Sequence, residues 1–256
     1  MPSRPRIVAL LTDFGTADTY VGQVKGALLS RCPAARIVDV THEIPRGDVR
    51  AAAFALLESM NAFGRGTVFV CVVDPAVGTG QLRLAVRAAG RYFVGPDNGL
   101  FSPVLESPGG FEARGLPTRG ASCTFHGRDV FAPAAAHLAA GRPFSRLGPP
   151  VRDLQLLDWP EVRETAGGRD AEVIHVDGFG NLVTNLRPEA LPAGDPVFGI
   201  SRKKIRGLNR TYGDVRRGGL LVLVGSHGFV EIAAREASAA GKLRAGRGTK
   251  VTVRRG

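Results

Sequence analysis

Four short polar segments carry the groups able to do chemistry in this chain: LTDFGTAD at 11–18, VVDPAVGTG at 72–80, VGPDNGLFSP at 94–103 and TFHGRDVFAP at 124–133. Each sets an Asp or a His beside glycines at or near the end of an apolar run, which is where open α/β sheets gather ligand-binding residues. Asp13 follows the apolar RIVALLT and precedes Gly15, so its carboxylate is expected at a sheet's carboxyl edge, able to accept both hydroxyls of a ribose diol. Asp74 closes the apolar run VFVCVV ahead of a Pro/Gly turn. His126 stands on a Gly turn at the entrance to a helix, beside Arg128 and Asp129, where an imidazole can hold a substrate or a water. His42, in DVTHEIP, is a second histidine of this kind, with loop structure as its alternative, while His137 and His175 read as structural.

Other chemistries lack their residues. The DFG triplet at 13–15 has no upstream glycine loop and no catalytic loop, so it is not a kinase signature. A GxG occurs at Gly78 and Gly80, but Arg83 stands where a dinucleotide fingerprint needs its third glycine. Neither GxxxxGK[ST] nor HExxH occurs. Cys32, Cys71 and Cys123 are odd in number and widely spaced, which argues against a disulfide framework and a structural zinc site. Cys71 reads as a small buried hydrophobe; Cys123, three residues before His126, is a thiol-nucleophile alternative without an acidic partner at useful spacing. A metal site would need Asp13, Asp74, Asp97 and His126 to meet at one point; the expectation is no metal.

The elements that must position these groups follow from pattern. Runs 6–12, 36–40, 67–73, 84–88 and 91–94 are short and rich in β-branched and aromatic residues, as strands are, whereas 20–31 and 48–62 carry apolar residues at helical spacing. FAPAAAHLAAG at 131–141 predicts a further helix ending on Gly141. Strands alternating with helices predict a mainly parallel, doubly covered sheet, that is, a three-layer α/β domain over 1–160. From about 142 the alternation is lost in a proline-containing linker, and from 170 to 256 short strands with Gly turns predict a smaller β-barrel or sandwich.

The 256 residues are 44% apolar and 22% charged, the balance of a soluble globular chain. The net charge of +11 is mostly scattered arginine, densest at 202–217 and 244–255, with no aromatic residues interleaved in a basic stripe. A solvated basic surface is expected, not a nucleic-acid partner. No apolar run reaches the roughly 18 to 20 residues of a membrane span, and MPSRPRIVALLTDFG meets an acidic residue too early for a signal peptide, so a cytoplasmic protein without membrane partners is expected.

Taken in order, LTDFGTADTYVGQVKGAL, DVTHEIP, VVDPAVGTG, FVGPDNGLFSPV, TFHGRDVFAPAAAHLA and VDGFGNLVTNL resemble the S-adenosyl-L-methionine (SAM) hydrolases that form adenosine, also called SAM hydroxide adenosyltransferases, relatives of the fluorinase and chlorinase. The resemblance runs from about residue 6 to 240. It implies an N-terminal α/β domain, a C-terminal β-barrel, and a homotrimer with sites at subunit interfaces. The reaction it implies is attack of water or hydroxide on the ribose C5′ of SAM, with no cofactor. It assigns Asp74 and His126 to holding and activating that water. Asp13 would hold the ribose, and Phe14, Asp97 and Asn98 would share its mouth. Asp177, Phe179, Asn181 and Asn185 would grip the adenine and the amino acid end, with Ser226 near the methionine group. The family writes DPGVG and an arginine seven residues after the Asp; here Ala76 and Gln81 occupy those positions, so Arg83, two residues on, or Gln81 itself must take the arginine's place. Ala76 resembles the halogenases, but these replace the Asp and carry a serine where Gly127 stands. A halogenase and a SAM- or adenosine-binding protein without turnover are the alternatives.

Overall fold

The computed structural model describes residues 6–256; the first five residues of the stretch read above for a leader lie outside them. The chain divides into two compact units, one ending at Leu157 and the other spanning Asp158–Gly256.

The first unit runs β1 (Ile7–Thr12), α1 (Tyr20–Leu29), β2 (Arg36–Thr41), α2 (Val49–Ser59), β3 (Val68–Val72), β4 (Arg83–Ala88), β5 (Arg91–Pro96), α3 (Ser102–Leu105), β6 (Phe111–Gly115), α4 (Ala132–Ala139) and β7 (Pro150–Val151). Its seven-stranded sheet has the order β2-β1-β3-β5-β4-β6-β7. The expected mainly parallel sheet is in fact mixed: β2, β1, β3 and β5 run parallel, while β4, β6 and β7 extend the sheet by antiparallel pairing. The reason is local. Ala89 and Gly90, the two residues between β4 and β5, both have positive φ (47° and 73°), the geometry of a tight hairpin whose twist matches its strands. Two residues cannot make the crossover that a parallel pair needs.

Both faces of the sheet are buried. Val8, Leu10, Val68, Val70 and Val72 share one apolar cluster with residues of α1 and α4. Their alternating neighbours Ala9, Leu11, Phe69, Cys71 and Val73 share another with α2 and α3. This two-sided burial explains why the strands read as near-continuous apolar runs. Asp48 starts α2 by accepting the Ala51 N–H at 3.0 Å, satisfying one of the donors a helix start leaves open. Ahead of α4 lies a π-helical turn, Gly127–Phe131, entered directly from His126.

The second unit runs β8 (Arg163–Thr165), β9 (Gly168–Val176), β10 (Leu182–Thr184), β11 (Pro196–Ile200), β12 (Lys203–Arg206), β13 (Leu220–Val224), β14 (Val230–Ala234), α5 (Ala239–Leu243) and β15 (Lys250–Arg255). These strands form an antiparallel sheet ordered β12-β11-β15-β9-β10-β14-β13, with β8 paired to β9. The Asn209 N–H donates to the Val222 carbonyl at 2.7 Å, so the chain leaving one edge strand meets the other edge. Of the barrel and the sandwich, a nearly closed barrel is what forms, around Val173, Leu182, Phe198, Val222, Ile232 and Val251. Among the described residues, no helix is long and apolar enough to cross a membrane.

Candidate functional site

The parallel block of the first sheet sets the site. Thr12 of β1 lies opposite Val72 of β3, so Asp13 and Asp74 leave adjacent strands at the same carboxyl edge. The loop after β2 closes over the first of them: the Gly47 N–H donates to Asp13 Oδ2 at 2.8 Å, and the Gly15 N–H to the His42 carbonyl at 2.8 Å. His126 arrives from the other side on its π-helical turn, a departure from α-geometry often found at functional sites.

Asp13, Asp74 and His126 converge on one pocket of about 70 Å³, walled by Phe14, Val72, Val77, Phe125 and the backbone of Gly127, with Thr124 at its side. That volume suits a water or two and the reacting end of a ligand, not a nucleoside. Phe14, Tyr20 and Phe125 pack edge-on or tilted against one another at 5.3–5.9 Å between ring centres, making one wall stiff and apolar.

Burial decides the ionisation of the pair. It pushes the Asp74 carboxyl above its ordinary value, helped by the Asp13 charge and opposed by the Ala76 N–H, His126 and Arg83. It pushes the His126 imidazole below its ordinary value, helped by Arg83 and opposed by Asp74 and Asp129. Among the described residues, the His126 Nδ1 is buried with no hydrogen-bond partner. Burial thus disfavours the charged form of both groups, a perturbation that is common where protons are transferred.

The two candidates for the family arginine divide. Gln81 Nε2 lies 3.4 Å from Asp74 Oδ1, a long contact made by a neutral donor. Arg83 turns back to the carbonyls of Gln81 (2.5 Å) and Thr79 (3.4 Å), and its Nε is buried without a partner among the described residues. Arg83 acts on Asp74 and His126 only through its charge.

The family model of the SAM hydroxide adenosyltransferase N-terminal domain matches residues 8–148, and that of the C-terminal domain matches residues 171–252. The chain belongs to the SAM hydroxide adenosyltransferase family. It is 42% identical to the (R)-S-adenosyl-L-methionine hydrolase of Thermus thermophilus, over 91% of this chain and 94% of that one. It is 40% identical to the (R)-S-adenosyl-L-methionine hydrolase of Salinispora arenicola over the full length of both. The crystal structure of an uncharacterized conserved protein from Thermotoga maritima superposes with a TM-score of 0.89 at 34% identity, covering 96% of this chain and 99% of that one.

Not every residue expected in this family member's site is brought to a pocket. Asp97 is 5% exposed and its carboxylate accepts the Gln155 N–H at 2.9 Å; it ties the end of β5 to a distant segment and does not line the pocket. Asn98 donates to the Val73 carbonyl at 2.8 Å, next to Asp74, so it braces the strand end that carries the carboxylate. His42 also stays out, with Nδ1 2.8 Å from the Thr12 hydroxyl and Nε2 3.1 Å from Asp39.

In the second unit, Phe179 and Asn181 line a larger pocket of about 670 Å³, together with Tyr212, Arg235, Glu236 and Ser238. Asp177 does not line it. Its carboxylate accepts the N–H groups of Phe179 and Asn181 (2.9 and 2.8 Å) and the Asn181 side-chain amide at 2.8 Å, which fixes the turn that presents both. Asn185 is likewise internal, bonded to the Glu172 N–H and the Pro160 carbonyl. Ser226 lies exposed on the β13–β14 turn, outside this pocket. Sequence reasoning missed Phe125, Tyr20 and Tyr212; aromatics beside glycine turns were the available signal. Among the described residues, no group of three or more His, Cys, Asp or Glu is arranged to hold a metal ion.

Proposed function

We propose that the protein hydrolyses SAM to adenosine and L-methionine. The observation that carries this reading is the convergence of Asp74 and His126 on a pocket of water-scale size, in a member of this family. Water held by the pair attacks the ribose C5′, its proton passing to the pair. The C5′–S bond breaks with its electrons going to sulfur, and methionine leaves as a neutral thioether. Attack by a hydroxide-like oxygen on a sulfonium cancels charge, so a pocket with apolar walls favours the transition state over the separated ions. Asp13 keeps Oδ1 for a ribose hydroxyl, since Gly47 already occupies Oδ2. Gln81 steadies Asp74 as a neutral donor, and the charge of Arg83 adds to the burial that holds the His126 imidazole below its ordinary value.

Phe179, exposed at 83%, is the stacking face for the adenine, with the Asn181 amide and the neighbouring backbone as polar contacts. The nucleoside-sized pocket of the barrel supports that assignment. The reading extends to a homotrimer with sites at subunit interfaces, to a three-layer N-terminal domain over 1–160 and a barrel domain over 170–256, and to a cytoplasmic enzyme. Light scattering of the purified protein checks the trimer. The halogenase alternative is disfavoured at Gly127, where an added Cβ would press to 3.2 Å from Phe14 and 3.3 Å from Phe125.

Incubation with SAM in chloride-free and chloride-containing buffers, followed by chromatography, tests the reaction. Adenosine and methionine in both are expected. A 5′-chlorinated nucleoside appearing only with chloride would make the protein a halogenase. Intact SAM would make it a binding protein.

A further inference from the structure

One buried charge in the barrel is not used by the chemistry above. Glu231 sits inside β14 in the apolar run FVEIAA and is 3% exposed. A charge so placed is costly unless it is fully bonded, and here both oxygens are. Tyr212 donates its hydroxyl to Oε1 at 2.5 Å, and His227 Nε2 lies 3.2 Å from Oε2. The Phe229 N–H donates to His227 Nδ1 at 3.1 Å, so the ring proton of the neutral tautomer is on Nε2 and points at the carboxylate. The pair leaves no slack: a Cβ added at Gly225 would fall 2.5 Å from His227 Nε2 and 2.6 Å from Glu231 Oε2.

What the anchor holds is half outside. The Tyr212 residue is 43% exposed, and it lines the same pocket as Phe179. Its loop is held at the backbone as well, by the reciprocal Thr211–Asp214 cap and by Arg235, which donates to the carbonyls of Gly213 and Val215 at 3.3 and 2.9 Å. An aromatic ring free to rotate about its side-chain bonds loses that freedom on meeting a ligand; one already pinned by its hydroxyl does not. The hydroxyl is also spent, so the ring meets the ligand as a surface and not as a donor.

We propose that Glu231 is a positioning residue that pins Tyr212 through its hydroxyl, so that the ring stands preformed as a wall of the nucleoside pocket. The inference rests on the adenine assignment made above. Glu231 touches no reacting atom, and its effect belongs to affinity, not to the chemical step.

The test is calorimetric binding of adenosine, and steady-state kinetics with SAM, on the full-length wild type, Glu231→Gln and Tyr212→Phe. Tyr212→Phe removes the bond and Glu231→Gln weakens it to one with a neutral acceptor, so both are expected to weaken adenosine binding and raise KM, Tyr212→Phe by about three- to tenfold, the cost of ordering one side chain. Turnover at saturation is expected to stay within about twofold, since the chemistry lies in the other unit. The double variant is expected to be no weaker than the worse single one. Tyr212→Phe removes one oxygen and keeps the ring, so it reports even if Glu231→Gln does not fold. Lowered Tm with wild-type affinity in Tyr212→Phe would make the network merely structural and overturn the proposal. A kcat loss at unchanged KM would also overturn it. Absence of adenosine binding by the wild type would instead remove the adenine assignment, and the inference with it.

Discussion

The two pockets are built on opposite physical principles. The pocket of the first unit is about 70 Å³ and holds ionisable groups away from their ordinary ionisation: a carboxyl pushed up, an imidazole pushed down, a ring nitrogen left without a partner. That of the second unit is about 670 Å³, with an exposed aromatic ring and a wall anchored by a fully bonded carboxylate, which those bonds hold below its ordinary value despite burial. On the proposed function the first stores unfavourable electrostatics where bonds would change, and the second removes freedom where shape would be matched. Unsatisfied groups support chemistry, and satisfied groups support affinity.

Substitutions should therefore split by pocket. Asp74→Asn is expected to lower kcat by at least tenfold and up to about 10⁴-fold, as loss of a general acid-base group does; wild-type turnover in that variant would remove Asp74 from the mechanism. The same change is expected to stabilise the fold. A carboxyl whose folded value lies above its unfolded one contributes most below ordinary carboxylate pH and costs stability once ionised, so at neutral pH the amide relieves a strain. Thermal unfolding should show a Tm a few degrees higher, at about 2–4 °C for each kcal/mol in a chain of this size. Phe179→Ala breaks the comparison from the other side: KM is expected to rise about three- to tenfold through lost stacking, with kcat held. A fall in kcat alone would mean that the barrel pocket serves the chemistry after all.

A smaller effect sharpens the first pocket. Gln81→Leu removes the long amide contact to Asp74 and nothing else on that carboxylate. A loss of about two- to fivefold in kcat is expected, the worth of one weak neutral hydrogen bond. A loss as large as that of Asp74→Asn would make Gln81 a full replacement for the family arginine.

Much of this division was legible in the sequence, and the parts that were not share a cause. Asp13, Asp74 and His126 were visible because an apolar run that ends on Asp, or a glycine turn that carries His, marks a strand or helix end by local pattern alone. Asp97 carries the same local signal, yet its partner is the Gln155 N–H, 58 positions along the chain, and no spacing rule foretells that bond. The strands β4 and β5 are legible, and so is their sense: the two residues between them, Ala89 and Gly90, are too few for a parallel crossover, but the alternation of strands and helices elsewhere in the domain points to a parallel sheet. The hairpin of β11 and β12 is not legible, because its second strand lies in the basic run 202–217, where only Ile205 is buried and Lys203, Lys204 and Arg206 face outward. Glu231 is legible by its type alone: a lone acid inside an apolar strand implies partners, and Tyr212 and His227 supply them.

The finest distinction concerns a charge that touches neither reacting group. Burial comes first and Arg83 second among the causes that hold His126 below the ordinary imidazole value of about 6.5. Arg83→Ala removes the second cause and keeps the first, so the imidazole should move part of the way back up. On the proposed mechanism activity fails on the acid side when His126 takes a proton, so the acid limb of kcat/KM is expected at higher pH in the variant, with the plateau lowered far less than in Asp74→Asn. Stability follows the same sign. A histidine whose folded value is depressed binds its proton more readily when unfolded, so stability falls as pH drops through the ordinary imidazole value toward the folded one. That loss should shrink in Arg83→Ala. Arg87, on the same strand but exposed and paired with Glu112, is the control whose removal should leave the limb in place. An unmoved limb in Arg83→Ala would assign the depression of His126 to burial alone and leave Arg83 without an electrostatic part in the site.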